Sequence, residues 1–143
     1  MKRYLKCTVA LLFLTCTRSP VAGGGALPQE SPCWQSASTQ LAINQCAAED
    51  AQKTDAALNQ TYERLLSKYA DDPGKVARIK KAQRAWIVFR DAEVDAYFPK
   101  GGSPQNGSVT PMCRLLELTS LTAERAKELK AILEARDGDV CNQ

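Results

Sequence analysis

Residues 75–98 contain no proline or glycine, and their apolar side chains recur every three or four residues. That spacing places them on one face of an α-helix and predicts an amphipathic helix. The opposite face of this helix is charged. We therefore predict a central helix whose stripe of Trp86 and Phe89 is the core that the other helices cover. The apolar positions are Val76, Ile79, Ala82, Trp86, Phe89, Val94 and Tyr97.

Two further segments have helical periodicity, one on each side of the central helix. Residues 38–70 follow the pattern, although its first third is weak and a break near residues 46–50 stays open. Residues 71–74 read Asp-Asp-Pro-Gly, which is typical of a turn between helices. The third segment begins near Thr110 and has Pro111 in its first turn. We find no strand pattern, so we predict an all-α, antiparallel three-helix bundle that contains disulfides.

Residues 1–25 have the layout of a secretory signal peptide. A basic start is followed by a short apolar run at residues 9–14 and then by small residues. The run is too short to span a bilayer, which needs about 20 residues. Lipidation at Cys16 is disfavoured, because Phe13 and Thr15 fit a lipidation motif poorly. We predict a cleaved signal peptide at 1–25 and a single periplasmic or secreted domain at 26–143, with no transmembrane segment.

Loss of this peptide changes the charge of the chain. Of the 19 Lys and Arg residues, four lie in the first 25 positions, whereas all 16 Asp and Glu residues follow them. The exported chain is therefore close to neutral, and the net charge of +3 belongs to the signal peptide. A basic pI that arises in this way is no evidence for nucleic-acid binding.

Four cysteines remain after the signal peptide, at Cys33, Cys46, Cys113 and Cys141. In a small exported domain they suggest two disulfides, with three possible connectivities. We favour Cys33–Cys46, two nearby positions at the start of the first helical region. A Cys113–Cys141 bond is difficult to form, because the two cysteines would lie about 40 Å apart if the segment between them were one continuous helix. A folded-back tail, a Cys46–Cys113 bond and an intermolecular bond of Cys141 all stay open.

The residue types present argue against catalysis. The chain has no histidine, which removes His-based general bases, the usual catalytic triads and ordinary zinc sites. Four cysteines without a close Cys-x-x-Cys pair do not favour structural zinc either. Acidic pairs occur only in turn or helix-surface contexts, where solvated carboxylates are the ordinary interpretation. We predict a protein that is not an enzyme and that uses no metal or cofactor.

Several motifs resemble the LprI-type lysozyme-inhibitor family, a group of small exported bacterial helical domains. The segment 82–93, AQRAWIVFRDAE, looks like the family signature. Upstream, Cys33, residues 44–46 (NQC) and residues 55–62 (DAALNQTY) match the elements "C…NxC" and "D..LN..Y". Downstream, the elements "GGS…C…LT..R" are matched at residues 101–103, Cys113, residues 118–119 and Arg125. The resemblance covers residues 33–130.

This resemblance implies a binding protein that inhibits lysozyme without chemistry of its own. The alternative is an envelope interaction or structural module whose partner is unassigned, because family does not fix a partner. The sequence departs from the family at Val94, where members usually have a cysteine, and Cys141 is additional. The family's disulfide pattern therefore cannot be transferred in full to this chain.

Polar residues beside the apolar stripes form the first set of candidate residues. They can pair between helices and fix their register, or they can form a ligand-binding patch. We favour the structural role, because so small a bundle has few other devices to specify its packing. Asp55 and Asn59 stand four residues apart and project from one helix face, where both can meet Arg84 or Arg125. The set is Asp55, Asn59, Arg84, Arg90, Asp91 and Arg125.

The irregular loop at residues 99–108 is the candidate surface for a protein partner. Loops that rigid helices anchor are common binding elements, and here Lys100, Gly101, Gly102 and Ser103 are the candidates. A lysozyme cleft contains two catalytic carboxylates, which a cation such as that of Lys100 can approach. The alternative is a plain solvent-exposed connector.

Overall fold

The computed structural model of the chain describes residues 31–100 and 107–135. Within these ranges the elements are the helices α1 (Pro32–Ser36), α2 (Gln40–Lys68), α3 (Pro73–Tyr97) and α4 (Thr110–Glu134), and there is no strand. The predicted all-α bundle is therefore confirmed, with a short α1 added before it. Among the described helices, none is both long and apolar enough to cross a membrane. The predictions for the signal peptide, Cys16 and Cys141 lie outside the described residues.

Local chemistry explains where the long helices begin. At the start of α2, the Thr39 hydroxyl accepts a hydrogen bond of 3.2 Å from the backbone N–H of Ala42. At the start of α3, the Asp72 carboxylate accepts one of 2.8 Å from the N–H of Lys75, with Pro73 in the first turn. Both are N-caps that satisfy otherwise unpaired N–H groups. The turn at residues 71–74 forms as predicted, whereas α2 runs without the break left open near residue 46.

Consecutive long helices run antiparallel, so α2 and α4 run in the same direction. Near the end of α2, the Lys68 ammonium donates hydrogen bonds to the carbonyl oxygens of Leu133 (2.9 Å) and Ala135 (3.2 Å), close to the end of α4. Near the start of α2, the Asn44 side chain donates one of 3.1 Å to the carbonyl of Ser108, just before α4. These contacts fix the register of the two helices at both ends.

The core lies between α2 and α4 and is not centred on α3. Leu58 and Leu65 of α2 are buried with Leu129 of α4, and Trp86 of α3 packs only partly buried against them. The predicted Trp–Phe core on α3 is therefore wrong in part, because Phe89 is 55% exposed. Of the other predicted stripe positions, Ala82 and Tyr97 are also exposed, whereas Val94 is fully buried. Leucine-rich stripes on α2 and α4 pack closely, and α3 covers one side more sparsely.

A disulfide and a hydrogen bond fasten α1 to α2. Cys33 and Cys46 are bonded, with their Cα atoms 5.7 Å apart, which is the pairing that we favoured. The alternative Cys46–Cys113 bond is thereby ruled out, and Cys113 is not bonded to another described cysteine. One turn after Cys46, the Asp50 carboxylate accepts a hydrogen bond of 2.6 Å from the Trp34 indole N–H.

Candidate partner-binding end of the bundle

The two described flanks of the segment 99–108 lie at one end of the bundle, where α2 begins, α3 ends and α4 begins. On the α3 side, the guanidinium of Arg114 donates a hydrogen bond to the carbonyl of Phe98 and pairs at 2.6 Å with the carboxylate of Asp95. On the α4 side, Asn44 of α2 holds the carbonyl of Ser108. The α3 flank is thus held by charged contacts and the α4 flank by one exposed hydrogen bond, so both flanks are tied to the bundle.

Three large apolar side chains are exposed at this same end of the bundle. They are Leu41 in the first turn of α2, Tyr97 at the end of α3 and Val109 just before α4. Leu41 lies one turn from Asn44, whose side chain reaches the residue next to Val109. Exposed apolar side chains at one end of a bundle offer contact area to a protein partner. We call this surface, made of Leu41, Tyr97, Lys100 and Val109, the loop end.

Lys100 projects from the loop end and is only weakly held. Its ammonium lies 3.9 Å from the carboxylate of Asp95, and most of its side chain is exposed. Exposed ion pairs of this kind contribute little to stability, so the cation is available to a partner. Gly101, Gly102 and Ser103 lie outside the described residues, and their role in binding stays a prediction.

The candidate polar residues of α2 and α3 meet around Arg90, which is largely buried. Its guanidinium lies 3.8 Å from the Asp55 carboxylate of α2 and donates hydrogen bonds of 2.8 and 2.9 Å to Asp91. Asp55 also accepts a hydrogen bond of 3.0 Å from the Asn59 amide, as expected for residues four apart. Arg90, rather than Arg84 or Arg125, is the arginine that this pair meets.

A second polar contact joins α3 to α4 around Trp86. The guanidinium of Arg125 donates a hydrogen bond of 3.1 Å to the Gln83 side chain, which is almost fully buried. Arg125 and Arg90 also lie 5.8 and 5.2 Å from the Trp86 ring, within cation–π range. Arg84 is exposed and forms no ion pair with a described residue. Arg90 and Arg125 thus connect helices, while Arg84 stands apart.

A shallow groove of about 490 Å³ opens beside Arg90. Alanines of α2, Leu115 and Leu118 of α4, and the Asp55–Asn59 pair line it. Its walls offer apolar contacts and one neutralised charge pair. In the described ranges, no group of three Cys, Asp or Glu residues could hold a metal ion.

Sequence reasoning missed several residues that shape these sites. Trp34 and Asp50 bind across helices, as does Gln83 with the candidate Arg125, and the distance between these partners along the chain gives no local signal. Arg114 was absent from the candidates because its partners, Asp95 and the Phe98 carbonyl, are identifiable only once α3 and α4 are packed. Periodicity does not reveal that Leu41 is exposed, because an apolar residue in a helical pattern is normally assigned to the core.

Comparison with known proteins gives a family and one relative. The family model described as "Lysozyme inhibitor LprI" matches residues 33–129, more than half of the chain. An uncharacterized protein of Rhizobium meliloti (strain 1021) is 32% identical over 139 residues, which cover 90% of this chain and 95% of that protein. No solved structure matches the chain significantly.

Proposed function

This chain belongs to the lysozyme inhibitor LprI family, and we propose that it is an exported, non-catalytic protein that binds a lysozyme and inhibits it. The observation that carries the proposal is the family match itself. It extends from α1 into the last turns of α4 and so includes both flanks of the loop end. A periplasmic or secreted location follows from this function, because the cell wall that lysozymes cleave lies outside the cytoplasm.

We infer that the loop end is the surface that contacts the lysozyme. Inhibition without chemistry requires that a partner's cleft be blocked, and the segment that joins α3 to α4 is a candidate to enter such a concave site. Holding the loop ends in place lowers the conformational entropy that binding must remove. The exposed side chains of Leu41, Tyr97 and Val109 would supply apolar contact area around the loop.

Charge supports the same surface. A lysozyme cleft carries two carboxylates, and Lys100 offers an ammonium that its own Asp95 holds only loosely. In the complex, the Lys100 ammonium would leave Asp95 and pair with the carboxylates of the cleft. This interaction would be the stronger of the two, because charges attract more strongly where water is largely excluded.

The direct test is titration of the purified, oxidised protein into c-type, g-type and i-type lysozymes while cell-wall lysis is followed. We expect stoichiometric loss of lysis with at least one class. The variant Lys100→Ala/Gly102→Ala should weaken inhibition by that class, and unchanged inhibition would remove the loop as the contact surface. No inhibition of any class at large excess would contradict the proposal and favour an envelope module with another partner.

A further inference from the structure

One side of α3 carries an apolar surface that no other described element covers. Its two central side chains are Val88, which is 71% exposed, and Phe89, which is 55% exposed. Gln83 and Val94, which are buried, lie on the opposite side of the helix against the bundle. We call the exposed side the outer face of α3, and it consists of Ala82, Ala85, Val88, Phe89, Ala92 and Ala96.

The outer face is continuous over several helical turns. From Ala82 to Ala96 it runs about 21 Å at a rise of ~1.5 Å per residue. Apart from the adjacent pair Val88 and Phe89, its members are three or four residues apart, and none of them is charged. Singly exposed apolar residues are ordinary, but a row of six along one helix is a feature of helix–helix contacts. Val88 and Phe89 give the centre of the row the bulk that alanines lack.

Charges along one edge of this face have a definite order. The edge follows the helical spacing of three and four residues through Lys81, Arg84, Val88, Asp91 and Asp95. Two basic residues therefore precede Val88, and two acidic residues follow it. Lys81 and Arg84 are exposed and pair with no described residue. Asp91 and Asp95 already pair within the chain with Arg90 (2.8 Å) and Arg114 (2.6 Å), but they keep 46% and 39% of their side chains exposed, so each can accept a further cation.

From this arrangement we propose that the outer face of α3 binds the same face of a second copy of the chain, with the two helices antiparallel. A two-fold axis near Val88 makes the interface self-complementary, as in a symmetric dimer. It brings Lys81 opposite Asp95 of the second copy and Arg84 beside its Asp91. A parallel pairing would instead place basic residues against basic ones, which is unfavourable.

The dimer is weak and depends on concentration and salt. A contact about 21 Å long between two helices is smaller than a standard protein–protein interface. Its charged edge is open to solvent, so added salt screens the attraction. This inference does not rest on lysozyme binding, because the outer face lies along the side of the bundle, although Asp95 on its edge also contacts Lys100 of the loop end.

Sedimentation equilibrium of the purified, oxidised protein, with free thiols alkylated so that no covalent dimer forms, tests the proposal. The mean mass should rise from that of the monomer toward that of the dimer as the protein concentration increases. Phe89→Glu should keep the mass at that of the monomer, with an unchanged helical circular dichroism spectrum. Leu41→Glu, which changes an exposed apolar residue elsewhere on the bundle, should leave dimerisation intact.

A charge exchange tests the antiparallel orientation. Arg84→Glu should weaken the dimer at least tenfold, whereas Arg64→Glu, the same change at an exposed position on α2, should not. Asp91→Arg alone should also weaken it, and an equimolar mixture of Arg84→Glu with Asp91→Arg should restore association. A monomer at all concentrations, or a dimer insensitive to Phe89→Glu, would overturn the proposal. The proposal would also be overturned if Phe89→Glu abolished lysozyme inhibition without changing the mean mass, because the outer face of α3 would then contact the lysozyme.

Discussion

The indole N–H of Trp34 donates a hydrogen bond of 2.6 Å to the carboxylate of Asp50, which is the only buried acidic residue among those the structure describes. Trp34→Phe keeps most of the ring but removes the donor. The buried carboxylate then retains only the Lys53 ammonium at 3.5 Å. We expect the free energy of unfolding to fall by about 1–3 kcal/mol, as for a buried charged group that loses its hydrogen bond. Urea denaturation measures this.

Lys53→Ala is the matched control for that substitution. It removes the other partner of Asp50, but the lysine is largely exposed, and such pairs contribute about 0–1 kcal/mol. A loss on Lys53→Ala equal to that on Trp34→Phe would contradict the role given to the indole.

The Cys33–Cys46 disulfide should contribute substantially to stability. The bonded residues are 13 apart in sequence, and closing a loop of that size in the unfolded chain is worth about 3 kcal/mol. Cys33→Ser/Cys46→Ser should therefore lower the unfolding free energy by about that amount. Cys113→Ser, which removes a cysteine with no described disulfide partner, should change it by well under ~1 kcal/mol.

The position of the core predicts opposite results for two large apolar residues. Leu65 is fully buried between α2 and α4, so Leu65→Ala should destabilise the protein by about 2–5 kcal/mol. Phe89→Ala, measured on dilute protein, should cost less than about 1 kcal/mol, because the ring is more than half exposed. A loss of stability on Phe89→Ala as large as that on Leu65→Ala would contradict this position of the core and favour a core centred on α3.

Arg125 of α4 and Arg84 of α3 should also differ in how much they contribute to stability. Arg125 is bonded to the buried Gln83 and lies beside Trp86, so Arg125→Ala leaves a buried amide unpaired and should cost about 1–3 kcal/mol. Arg84→Ala should fall within about 0.5 kcal/mol of the parent, since this exposed residue has no ion pair with a described residue. Thermal and urea unfolding of both variants test whether the network is structural.

The loop end can be mapped by variants that do not touch the core. Leu41→Ser and Tyr97→Ser each remove an exposed apolar side chain, so folding should persist while lysozyme inhibition weakens by about tenfold or more, as at important contact residues. Lys80→Ala, an exposed lysine nearer the other end of α3, is the control for Lys100→Ala. If all four variants inhibited the lysozyme as strongly as the parent protein, the loop end would be excluded as the contact surface.

Local rules were sufficient for much of the fold. The Asp-Asp-Pro-Gly turn, the proline at the start of α4 and the Cys33–Cys46 pair involve residues close in sequence, whose chemistry is independent of the tertiary arrangement. The all-α class also followed from periodicity alone. What periodicity could not supply was the identity of the neighbour that each helix face meets.

Helix α3 shows why the core was misplaced. Apolar residues occur on both of its sides, with Trp86 and Val94 toward the bundle and Val88 and Phe89 away from it. A pattern that includes Phe89 with Trp86 is therefore compatible with more than one orientation. The leucines of α2 and α4 decide it, because they pack most closely against each other. The choice of Arg90 over Arg84 as the partner of Asp55 follows from that orientation and could not be made from spacing.

Binding of the purified protein to a lysozyme, measured by titration calorimetry, tests the central claim most directly. The lysozyme should be of the class whose lysis is inhibited, with and without a chitin oligosaccharide bound in its cleft. The account predicts saturation at one protein per lysozyme and weaker binding when the cleft is occupied. Absence of binding to every lysozyme class would contradict it. Binding that the oligosaccharide leaves unchanged would contradict the insertion of the loop end into the cleft.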